Sequence, residues 1–155
     1  LQKDRKMSNQ TTKELQAELV TTMKRWQKIE DASVASTGRI IEQTDNPLIR
    51  LVMEIIQRDS QMHHRVQALI AGSLESAAIS LKPEEMTAVW ESIEKHIELE
   101  KQMVGFVEET LETLKGRKML VQEYLLHYLR TDEKKHDELL EALEGIKKGM
   151  YPYAS

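Results

Sequence analysis

Glu133 and His136 stand three residues apart in a run whose apolar residues, Leu125, Leu129, Leu140 and Leu143, mark one helical stripe. On a helix that spacing points a carboxylate and an imidazole the same way, toward the stripe and therefore toward a core. Burying both without a partner is costly, and a metal ion is the simplest partner that satisfies the two together. Three more polar intrusions break apolar stripes elsewhere in the chain. Glu30 interrupts a stripe running from Leu15 to Ile41, Asp59 and His63 one from Leu48 to Ile70, and Glu100 one from Met86 to Leu114. The chain has no cysteine, which excludes thiolate zinc sites, iron–sulfur clusters and a cysteine nucleophile. Any metal must be held by oxygen and nitrogen.

The elements that position these residues are four long helices. Thr11 followed by Glu14 forms a capping box, so the first helix is predicted over about 11–43. Asn46 as a cap and Pro47 as a first helical residue stop that helix and start the second, over about 47–72. Pro83 with Glu84 and Glu85 opens the third, over about 83–115. Gly116 closes it, and the fourth runs over about 117–149 until Gly149 and Tyr151-Pro152-Tyr153. Residues 1–10 and 150–155 are expected to be flexible ends. Glu30 and His63 lie at similar separations on either side of the Asp45–Pro47 turn, as do Glu100 and the Glu133/His136 pair about Gly116. At 1.5 Å rise per residue, a ligand two turns out of place would miss the site by roughly 10 Å, so this agreement in height is informative.

Composition agrees with an all-α fold. The 155 residues are 40% hydrophobic and 31% charged, with only 6 Gly and 3 Pro, and no stretch reads as a domain linker. The expectation is a single domain over 11–149. Net charge is −4 with both signs interspersed, which disfavours nucleic acid and anionic membrane surfaces as partners. No run has the apolar length of a membrane span, and Leu1 to Lys6 lacks the apolar core of a leader peptide, so a cytoplasmic location is expected. There is no Ser/His/Asp triad and no Gly-rich phosphate loop. Trp26, Trp90 and the methionines, at helical spacing, read as core filling. His64 and His127 point away from their stripes and read as solvated.

The chain also carries an internal repeat. Asp59-Ser60-Gln61-Met62-His63 lies on Asp132-Glu133-Lys134-Lys135-His136, with flanking apolar positions matching in character. In that register Ser60 stands where the second half has Glu133.

Taken together, residues 11–149 resemble the ferritin-like superfamily, in particular the rubrerythrin-like four-helix bundles, in which the first and third helices carry a core glutamate and the second and fourth a Glu-x-x-His. The resemblance implies an antiparallel four-helix bundle of ferritin-like type, two hairpins joined by a crossover between the second and third helices. Gly72 to Lys82 would supply about 35 Å for that crossover if extended. It implies a metal site of Glu30, His63, Glu100, Glu133 and His136, with His96, one turn before Glu100, as a further imidazole. Asp59 and Asp132 would orient the imidazoles by hydrogen bonding. Two departures bear on the site. Ser60 replaces the first-half carboxylate, leaving the usual bridging set one short. Gln27 has the same chain separation from His63 as Glu100 has from His136, so Glu30 matches only if the first helix is displaced by about one turn.

The implied function is a metal-binding protein, iron-dependent and reacting with oxygen or peroxide, with zinc or manganese as alternatives for the same donor set. The competing reading is a non-catalytic helical bundle with a mononuclear structural metal or none. A homodimer is the expected assembly, since symmetric pairs are the commonest.

Overall fold

The computed structural model describes residues 10–150, and among them all regular structure is helical. Of the ends expected to be flexible, 1–10 and 150–155, residues 1–9 and 151–155 lie outside the described residues, as does the Tyr151-Pro152-Tyr153 stop, while Met150 is the last residue of the fourth helix. The helices are α1 (Thr12–Gln43), α2 (Pro47–Glu75), α3 (Pro83–Leu114) and α4 (Leu120–Met150). The chain divides into two compact units, residues 1–79 with α1 and α2 and residues 80–155 with α3 and α4. Among the described residues no helix is long and apolar enough to cross a membrane.

Local chemistry sets the helix ends. Thr11 accepts from the Glu14 amide while the Glu14 carboxylate accepts from the Thr11 amide, completing the capping box of α1. The Asn46 side chain accepts from the amides of Leu48 and Ile49, with Pro47 behind it as the first residue of α2. Arg50 reaches back across this turn to the carbonyls of Ile41 (2.9 Å) and Thr44 (3.0 Å), satisfying the end of α1. Lys82 donates its amide to the Glu85 carboxylate at the start of α3. Gly116, with φ 76°, takes the left-handed turn that follows α3, a conformation costly to any residue with a Cβ.

Two boundaries differ from the sequence reading. Gly72 does not end α2; its carbonyl accepts from the Ser76 amide and the helix continues to Glu75. The connection to α3 is therefore residues 76–82, about 25 Å at full extension rather than 35 Å. After Gly116 the chain makes a further turn, and α4 starts at Leu120 rather than near 117.

In unit 1, α1 and α2 run antiparallel. Lys24 pairs with Glu75, Glu30 meets Gln67, and Ser33 meets Ser60, numbers rising on one helix as they fall on the other. The buried residues are Val20, Met23, Glu30 and Thr37 on α1 and Ser60, Gln67 and Ala71 on α2. This is narrower than the expected stripes. Trp26, expected in the core, is 50% exposed, as Leu15, Leu19 and Val66 are also exposed. Two helices meeting along one line enclose one file of side chains each, so the flanks of a broad apolar stripe stay open. In unit 2, α3 and α4 are likewise antiparallel, with Glu108 bridged to Lys134 and Arg130, and Glu100 facing His136. Here Met86, Glu100 and Val107 are the buried residues of α3.

Candidate metal centre

Each hairpin sets a buried glutamate of its first helix against an imidazole of its second. In unit 2 that glutamate is Glu100, 3% exposed. Its Oε1 lies 3.4 Å from His136 Nδ1 on α4 and 2.9 Å from His96 Nε2, one turn earlier on α3. Glu133 Oε2 lies 3.5 Å from the same Nδ1, as the three-residue spacing on one helix predicts. The other ring nitrogen of His136 faces Asp132 Oδ2 at 3.4 Å. Asp132 thus stands behind the imidazole, placed to hold a proton on Nε2 when Nδ1 turns its lone pair to an ion between the two glutamates.

The ligand atoms of Glu100, Glu133 and His136 all lie within 4.8 Å of one another, the group of this kind found among the described residues. The 3.4 and 3.5 Å separations are long for hydrogen bonds. They match the roughly 3.3 Å edge of a tetrahedron built on metal–ligand bonds of about 2.0–2.1 Å.

The electrostatics are those of two carboxyls pressed together away from water. Glu133 is held above the usual carboxylate range, first by the Glu100 carboxyl beside it and then by burial. Glu100 is held below it, first by the hydrogen bond from Glu133 and then by His96 and His136, against the opposing effect of burial. Glu100 Oε2 and Glu133 Oε2 are shielded from solvent, and no other residue donates a hydrogen bond to either. Two carboxylate oxygens beside an imidazole nitrogen, with no donor from any other residue, are a donor set that could hold a cation in place of the shared proton.

Unit 1 is built differently at the corresponding place. Glu30 Oε1 lies 3.3 Å from His63 Nδ1 and accepts from Gln67 Nε2 at 3.2 Å. Ser33 and Ser60 hydrogen-bond to each other at 2.8 Å. Asp59 forms no ion pair with His63 among the described residues, in contrast to Asp132 and His136. Glu30, and not Gln27, is the counterpart of Glu100. Gln27 instead donates to the carbonyl of His64, whose ring faces Asp31. The chain separations misled because the turns differ in length: residues 44–46 join α1 to α2, and residues 115–119 join α3 to α4.

The six expected ligands therefore fall into two sets, Glu30 with His63 in unit 1 and His96, Glu100, Glu133 and His136 in unit 2. His96 holds Glu100 and lies outside the three-ligand group. Sequence reasoning missed Gln67 and Ser33. Gln67 stands one turn after His63 on the same face, a polar residue between Val66 and Ile70, and that was the available signal. Comparison of the chain with protein-family models, with curated proteins and with solved structures returns no match.

Proposed function

We propose that this chain is a metal-binding protein of ferritin-like character in which Glu100, Glu133 and His136 hold one divalent ion, iron in the working protein. The observation that carries the reading is the convergence of Glu100, Glu133 and His136 ligand atoms within 4.8 Å, with Glu100 Oε2 and Glu133 Oε2 buried and given no donor by any other residue. The two carboxylates balance the charge of a divalent ion, and the imidazole adds a neutral nitrogen. Asp132 orients His136 through Nε2, and His96 holds Glu100 through Oε1. Iron so bound supplies one-electron chemistry toward oxygen or peroxide; three protein ligands leave room for a small oxidant to approach. The kinship proposed is one of ligand chemistry.

The test adds Fe(II) anaerobically to metal-free protein and then admits oxygen. Oxidation faster than in buffer, lost in Glu100→Ala, is the expected result; no acceleration would sink the redox reading. A second reading, a structural metal without redox chemistry, is favoured by one observation: unit 1 spends its equivalent glutamate on the Gln67 amide. It predicts metal binding with a large rise in melting temperature and no acceleration of Fe(II) oxidation.

A further inference from the structure

The two hairpins can be compared position by position in the register that lays Glu30 on Glu100 and His63 on His136. Four neighbours of the site differ. Ser60 stands for Glu133, Gln67 for Leu140, Ser33 for Met103 and Trp26 for His96. These changes act together. In unit 1 the Ser33 and Ser60 hydroxyls satisfy each other and bring no charge. Gln67, 4% exposed, places its amide N–H on Glu30 Oε1. In unit 2 Leu140 has no donor to offer, and the carboxylates of Glu100 and Glu133 each keep an oxygen to which no other residue donates.

We infer that Ser60 and Gln67 are the residues that restrict this chain to one metal ion, closing the Glu30/His63 half of the repeat against a cation. The inference rests on reading Glu100, Glu133 and His136 as the metal site. A divalent ion entering beside Glu30 would meet one carboxylate instead of two. It would also have to displace the Gln67 N–H from Glu30. Gln67 Oε1 is buried and already accepts nothing, so losing its one bond would leave both ends of a buried amide unsatisfied. Charge and hydrogen bonding thus oppose the ion together.

The experiment measures stoichiometry on the full chain by equilibrium dialysis with Co(II), whose visible absorption reports nitrogen and oxygen ligation independently of any turnover. Wild type is expected to bind one ion per chain, and Ser60→Glu combined with Gln67→Leu two, with a second absorption component. A reciprocal variant needs no change in unit 1. Leu140→Gln sets an amide beside Glu100 and is expected to weaken Co(II) binding about tenfold or more, whereas Leu140→Met leaves it unchanged. Wild type binding two ions overturns the inference and leaves the proposed site standing. So does a folded double variant that still binds one, or Leu140→Gln binding as wild type does. Wild type binding none removes the proposed site itself. Should the double variant fail to fold, the Leu140 pair alone decides.

Discussion

Replacing Glu133 by Gln separates a ligand from a structural residue, because the two roles give stability changes of opposite sign. In the metal-free protein Glu133 presses a second carboxyl against Glu100, and no other residue donates to Glu100 Oε2. An amide at 133 removes the like charge and brings an N–H to that oxygen. A hydrogen bond to a charged acceptor is worth about 1.5–3 kcal/mol, and part of this replaces what the shared proton already provides. The net gain is about 1 kcal/mol near pH 8, or roughly 2–4 °C in melting temperature for a chain of this size. Glu133 is raised in the folded state, so its protonated form stabilises the fold at low pH, and that contribution is lost as pH rises through its folded pKa. The advantage of Glu133→Gln therefore grows from acidic toward neutral pH. With Zn(II) at about a hundred times its dissociation constant, wild type gains about 2.7 kcal/mol and the variant gains almost none. The assay is thermal unfolding followed by Trp90 fluorescence in a Trp26→Phe background, which reports α3 alone, with and without Zn(II). A lowered melting temperature in the metal-free variant, or an undiminished shift with Zn(II), would refute the reasoning.

Two further outcomes follow from the same geometry. Asp132→Asn removes the charge behind His136 Nε2 and is expected to lower Zn(II) affinity by about 10–100-fold, measured by competition with a chromophoric chelator while helical circular dichroism stays unchanged; undiminished affinity would show that Asp132 serves only its ion pair with Lys135, three residues on along α4. Glu30→Ala strips the acceptor from the buried Gln67 amide and is expected to cost about 1–3 kcal/mol in urea unfolding, with Glu30→Gln costing less and metal stoichiometry the same in both.

The features legible in the sequence were those decided within a few residues. Thr11 with Glu14, Asn46 with Pro47, and Gly116 each do their work through neighbours on the chain, so their types and spacing were sufficient to place four helices. The facing of Glu133 and His136 was legible for the same reason. What depended on the partner helix was not. Trp26 sits at the right spacing for the stripe of α1, yet α2 meets α1 along the file of Val20, Met23, Glu30 and Thr37 and leaves it exposed. The choice between Glu30 and Gln27 turned on loop lengths that composition does not fix. Gly72 looked like a stop because glycine is permissive, but permissive residues also continue a helix when its hydrogen bonds continue.

Glu100, Glu133 and His136 belong to the two arms of one hairpin, which gives the site a topological meaning. An ion tying residue 100 to residue 133 is a cross-link, and closing a loop of that length in a free chain costs about 4 kcal/mol of entropy. The pairing of α3 with α4, anchored by Glu108 against Lys134 and Arg130, has met that cost before any ion arrives. On the proposed reading capture would then require side-chain adjustment alone, with three ligands from one continuous stretch of chain closing the chelate.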